Sequence, residues 1–390
     1  MHKIIFVIHT ILVLISIPGC KIQSIREGES DIHKRFEKTF KNSKSSKSAV
    51  LLIHSDALNL HIKDSAGYIQ NGKEKMRTSL DQPYHIASIG KLFTTTLIYQ
   101  LVEENRIKLS DSISDYLEER VLKGLYFFEG KDYTKNVTIE NLLAHTSGAE
   151  DYFEGGNESI LHQIITSPDK FWTPEDILEF SRTNLKPIAP PGKKFHYSDT
   201  GFILLGLLIE KITEKSFEQN LRERIFSPLG MKHTYMHLRD TIPQGSLSIS
   251  PMILNSKDIT NFVSVSADWA GGGIISTTED LLLFYRGINE KKLLKNHRIE
   301  DWLGNELFHD GIYYGKGIMT VKYGDMMFLM PETPDLYGHS GLLSTLLFYS
   351  PEYDTYIVSN FGSTEDISLS FEMMFHIMRV LKDIKELKKP

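Results

Sequence analysis

Stretches of strand character stand at both ends of this chain's body, and helical spacing fills the middle. That order restricts the fold more than any other feature. "AVLLIH" and "LNLHIK", parted by Ser55-Asp56-Ala57, read as a hairpin. Near the other end, "YYGKGIMTVKYG", "YGHSGLLSTLLFYS" and "TYIVSNFG" read as strands. Between them, Leu92, Thr95, Leu97, Ile98, Leu101 and Val102 recur at helical spacing. "TIENLLAHTSG" offers Thr138 as an N-cap, and "TPEDILEFSR" offers Thr173 with Pro174 at the first helical position. "TGFILLGLLIEKI" reads as a buried helix, "TTEDLLLFYRGI" as a threonine-capped one, and "FEMMFHIMRVLKDI" closes the chain. The simplest arrangement is α/β (α+β): a mainly antiparallel sheet built from both chain ends, flanked by helices, with an all-helical lobe inserted. A length of 390 residues allows two or three domains, or one two-lobed domain.

The N-terminus reads differently. Lys3 precedes an apolar run from Ile4 to Ile17, shorter than a membrane-spanning helix needs, and then Pro18-Gly19-Cys20. Residues 1–19 read as a signal peptide. Cys20, the only cysteine, stands where a bacterial lipoprotein is cut and acylated. An uncleaved signal anchor is the other reading, and both export the body of the chain. Residues 20–48 are polar and charged and read as a tether, with room for a short helix around Asp31 to Phe40. The expectation is an exported, membrane-anchored lipoprotein of the cell envelope, with a single domain over 49–382. A net charge of −6 without a long basic cluster argues against a nucleic-acid partner.

"HIASIGKLFTTTLIYQL" places Ser88 and Lys91 three apart at the head of an apolar helix. Residues so spaced share a face, and helical side chains lean toward the N-terminus, so Lys91 reaches back over Ser88. A serine hydroxyl is a weak nucleophile until a neighbour takes its proton. The same spacing at Ser167 and Lys170, "SPDK", reads as a turn because Pro168 follows and a new helix starts at Thr173. His145 reads as structural. His233 and His237 lack the helical context of a zinc motif, so no metal is expected. The glycine-rich stretches around Gly155 and Gly272 read as turns and close backbone approaches.

Three further stretches sharpen the reading: Tyr197-Ser198-Asp199 before a buried helix, "LLAHTSG" upstream of it, and His339-Ser340-Gly341 on a strand. With Ser88 and Lys91, this set resembles the serine β-lactamase and penicillin-binding superfamily. It is most similar to the class C-like branch that holds D-alanyl-D-alanine carboxypeptidases, D-aminopeptidases and family VIII-type esterases. "PLGMKHT" and "AGGGIISTTEDLLLF" are similar to further stretches of that pattern, and the resemblance runs from Ala49 to Lys382.

The resemblance implies a β-lactamase/transpeptidase-like fold, without a cofactor. It implies Ser88 as the nucleophile of an acyl-enzyme, with Lys91 and Tyr197 sharing the proton. The backbone N–H groups of Ser88 and Leu342 would form the oxyanion hole. Asp199, His339, Ser340 and Gly341 would bind substrate. That substrate would be a D-amino-acid peptide of the cell-wall type, or a small ester or amide. The alternative is a catalytically weak surface lipoprotein of the same fold that binds peptidoglycan fragments or β-lactams. Two positions depart from the family pattern. Asp199 stands where asparagine is usual, and an ionised carboxylate cannot donate a hydrogen bond. It can instead pair with Lys91 and keep it charged. His339 stands where lysine is usual and carries less charge near pH 7, so efficient β-lactam hydrolysis is not expected.

Overall fold

The computed structural model describes residues 21–72, 74–156, 158–326 and 333–388. The leader and Cys20 lie outside the described residues. The large sheet has nine strands, and each pairing is antiparallel. In chain order they are β1 Ser48–Ser55, β2 Leu60–Asn71, β3 Glu74–Arg77, β4 Glu306–His309, β5 Ile312–Tyr314, β6 Met319–Val321, β7 Leu336–Gly341, β8 Thr345–Ser350 and β9 Thr355–Asn360. Their spatial order is β4-β5-β6-β7-β8-β9-β1-β2-β3. The two chain ends therefore meet in the middle of the sheet, where β1 pairs with β9 from Val50↔Asn360 to His54↔Tyr356.

The segment between β3 and β4 carries most of the helices, but the expectation of an all-helical lobe is corrected: it also holds a three-stranded sheet and two two-stranded ones, closed by short backbone pairings that leave no periodicity in the sequence. The expected caps Thr138 and Thr173 are in place, and of the two threonines that could cap the later helix, Thr277 or Thr278, it is Thr277 that does; each accepts a backbone N–H of the first turn that would otherwise lack a partner. One extended core runs through this segment and the sheet face beneath it. A second core lies on the other face, beneath the C-terminal helix.

The tether reading of residues 20–48 is corrected here. A 17-residue helix, α1 Ile25–Lys41, starts at an N-cap made by Ser24. It packs along the C-terminal helix Ile367–Leu387. Gly28, Ile32, Phe36 and Thr39 are buried on one face. A Cβ at Gly28 would sit 2.8 Å from Ile384 Cδ1, so glycine permits the approach. The domain thus begins well before residue 49. Its apolar stripe is narrow, two large side chains plus a glycine and a threonine, and the charged face dominates the composition. Phe36→Ala should cost about 3 kcal/mol or more of unfolding free energy, as other buried Phe truncations do. Urea denaturation measures it, and a variant as stable as the wild type would restore the tether.

Candidate active site

Ser88 lies in a single 3₁₀ turn, Ala87–Ile89, that leads into α2 Gly90–Glu103. Ala87 has φ of +49°, a left-handed conformation that costs a non-glycine residue of order 1–3 kcal/mol. Its neighbours hold it there. The Ala87 N–H donates to His85 Nδ1 at 3.2 Å, the Ile86 N–H to the Ile274 carbonyl at 2.9 Å, and Thr345 Oγ1 to the Ile86 carbonyl at 2.9 Å. Gly341 at the end of β7 comes so close that a Cβ there would lie 2.8 Å from both Ala87 Cβ and the Ile86 carbonyl oxygen. Glycine is therefore required by this contact with the turn that carries Ser88. On the other side, a Cβ at Gly90 would lie 2.6 Å from Gly272 Cα. The glycine run around Gly272 is a close backbone approach, as its sequence implied.

Lys91 is fully buried, and its ammonium has three partners. It donates to Ser88 Oγ at 3.0 Å and to the Gly271 carbonyl at 3.1 Å, and it forms an ion pair with Asp199. That last contact is a close ion pair rather than an aligned hydrogen bond. Burial alone would drive the lysine pKa down. The Asp199 carboxylate, helped by Tyr314 and Asp268, outweighs it and holds Lys91 above its ordinary value. Lys91 thus presents a proton to Ser88 instead of a free lone pair. Burial, and then the charge of Asp199, hold the Tyr197 phenol well above its ordinary value, and a hydrogen bond to Ser88 acts in the opposite sense. Lys91 Nζ lies 5.0 Å from the Tyr197 ring centre. Ser88, Lys91 and Tyr197 are therefore brought together, with Asp199 as counter-charge.

Two residues expected to meet substrate are buried. Asp199 lies beside Lys91 at the start of the helix α3 Asp199–Thr213 and pairs with that lysine, the alternative its carboxylate allowed. His339 was also expected to meet substrate, but its side chain is fully buried. Its Nδ1 lies 2.6 Å from the Ser340 carbonyl and must donate there, so Nε2 accepts the Tyr314 hydroxyl at 3.0 Å. Burial, and then the charge of Lys91, push its pKa down to about 3, so it stays neutral and cannot attract a carboxylate. Side chains alternate along a strand, and Ser340 takes the more open face. Leu342 follows β7 and is half-buried.

His145 is buried, with Nδ1 3.1 Å from both the Ser198 backbone nitrogen and its carbonyl oxygen, and its ring lies 4.2 Å from that of Tyr197. Ser167 ends a helix, and Lys170 lies 3.3 Å over the Trp172 ring. The His233 N–H donates to Asp280, while the His237 ring packs edge-on to His85 at 5.9 Å. Among the described residues, no group of three or more His, Cys, Asp or Glu side chains could hold a metal ion.

Four neighbours were not found from sequence. Asp151 accepts the Asp199 N–H at 2.9 Å, and burial followed by the charge of Asp199 raises its pKa to about 7. Burial likewise lifts Asp268 to about 7, with Lys91 lowering and Asp199 raising it. The other two, Tyr314 and Phe308, sit on β5 and β4. None belongs to a local motif. Each reaches the site through chain reversals that spacing does not reveal.

The Beta-lactamase family model matches residues 50–365. Among curated proteins, Protein flp of Staphylococcus aureus (strain MW2) is 32% identical over 171 residues, covering 43% of this chain and 30% of the relative. The chain spans less than two thirds of the length of the curated relatives it matches. The D-amino acid amidase of Ochrobactrum anthropi SV3, complexed with L-phenylalanine amide, superposes with a TM-score of 0.73 at 22% identity, over 93% of this chain and 100% of that one. A D-stereospecific amidohydrolase from Streptomyces sp. gives 0.72 at 23% identity, over 88% and 97%. These likenesses extend the agreement in fold over nearly the whole chain.

Proposed function

The chain belongs to the Beta-lactamase family, and from that premise we propose that it is a serine hydrolase working through an acyl-enzyme on Ser88. The observation that carries this is the buried Lys91 ammonium, 3.0 Å from Ser88 Oγ and paired with Asp199. In the first step Ser88 Oγ bonds to the substrate carbonyl carbon. The serine proton passes to Lys91 as Lys91 yields one of its own to Asp199. Tyr197 gives its phenolic proton to the departing amine or alcohol and regains one from the Lys91–Asp199 pair. Water then cleaves the acyl-enzyme. The N–H groups of Ser88 and Leu342 would receive the oxyanion, a contribution of about 3–4 kcal/mol per donor in comparable sites.

The substrate class we propose is D-amino-acid amides and short D-peptides of the cell-wall type, with small esters as secondary substrates. The amidase and amidohydrolase folds support this choice. Hydrolysis of D- and L-phenylalanine amide, monitored by ammonia release, tests it. A D-over-L preference of tenfold or more in kcat/KM is expected, and an L preference would overturn the substrate class. The protonated Lys91 also favours a second reading, an acyl-enzyme that forms and is slow to turn over. A burst of one product equivalent per chain would mark it.

We also propose that Cys20 is lipidated and anchors the exported domain to the membrane. Support comes from the short apolar run before it and its singularity in the chain. Among the described residues, no helix is long and apolar enough to cross a membrane. Cys20→Ser should move the protein to the soluble fraction or leave it unprocessed. Identical membrane retention, with no lipid on wild-type Cys20, would refute the anchor.

A further inference from the structure

Beside Tyr197, the site has an aromatic wall in which one ring is more open than the rest. That ring belongs to Phe308 on β4, the edge strand of the large sheet. Leu307 pairs with Tyr313 and His309 with Ile312, so the register shifts between them. Phe308 is the extra residue of a β-bulge, a device that bends an edge strand and re-aims a side chain. The ring is re-aimed onto Tyr197: their centres lie 5.3 Å apart at 60°. Phe195 and Tyr314 back it at 6.4 and 6.3 Å. Tyr314 is buried, whereas Phe308 remains 39% exposed. A large apolar ring left this open, on a bulge, against a residue of the candidate catalytic set, is what a binding wall requires.

We propose that Phe308 determines specificity on the leaving-group side, favouring substrates whose departing amine or alcohol carries an aromatic or bulky apolar group. The inference rests on the hydrolase reading above, in which Tyr197 serves the leaving group. A phenyl ring there gains an offset or edge-to-face partner and covers the open face of Phe308. A small polar leaving group gains neither.

The test uses the full chain and two esters of D-alanine, methyl and benzyl, which share the acyl group and differ in the departing alcohol. The readout is the benzyl-to-methyl ratio of kcat/KM. Wild-type protein should prefer the benzyl ester. Phe308→Ala should lower the ratio about tenfold, the scale on which an apolar pocket discriminates. Phe308→Leu keeps an apolar side chain at the bulge and should retain most of the preference. It also serves as the control should alanine loosen the strand. Turnover of both esters with the ratio unchanged in Phe308→Ala overturns this inference alone. A wild-type protein that hydrolyses neither ester overturns the hydrolase reading, and this inference with it.

Discussion

Ser88→Ala should abolish hydrolysis of esters and amides, with a fall in kcat of roughly 10⁵-fold or more. The variant has no oxygen to form the acyl bond, and among the described residues Ser88 is the hydroxyl that Lys91 contacts, at 3.0 Å. Stability should change little. Lys91 keeps the Gly271 carbonyl and Asp199, and loses one hydrogen bond worth about 1 kcal/mol. Initial rates on a p-nitrophenyl ester, with far-UV circular dichroism as the check on folding, separate the two effects. Turnover retained in a folded variant would sink the acyl-enzyme mechanism.

Asp199→Ala should have the largest effect on stability. It leaves a fully buried ammonium without its main counter-charge. Removing one partner of a buried ion pair costs about 3–5 kcal/mol. The pH dependence identifies the cause. In the wild type Lys91 is held above its ordinary value. Its contribution is therefore fully present below the unfolded lysine pKa of about 10.4, and is lost as pH rises through the folded value. In the variant burial is opposed by fewer charges, so the lysine must give up its proton to fold at neutral pH. That cost disappears once the unfolded lysine is neutral too. The destabilisation should thus be about 3–5 kcal/mol at pH 7 and shrink toward pH 10 and above. Urea denaturation at both pH values measures it. An equal loss at pH 7 and pH 10 would assign the effect to packing instead of charge.

The legible parts of this protein were those written locally. Thr138, Thr173 and Thr277 cap the helices they precede because a cap is decided within four residues. The strands at both chain ends meet, as β1 on β9, because alternation and β-branched content mark them without reference to partners. Ser88 and Lys91 converge because three residues of helix bring them together. Two kinds of information were hidden. The first is direction. His339 and Ser340 are neighbours in one motif, yet the pleat sends them to opposite faces, and the sequence does not say which faces the cleft. The second is distance in the chain. Asp268 and Tyr314 reach Lys91 from 177 and 223 positions away. α1 was hidden for a third reason: Ile32 and Phe36 are too few to outweigh the charges around them, though both are fully buried.

The central claim is that Ser88 is the nucleophile, and a fluorophosphonate tests it most directly. The probe phosphonylates an activated serine and leaves a stable mass tag. Purified wild-type protein, incubated with the probe, digested and mapped by mass spectrometry, should carry one tag per chain, on the peptide containing Ser88. A tag on Ser198 or Ser340, or an unmodified Ser88 in folded protein, would contradict the account.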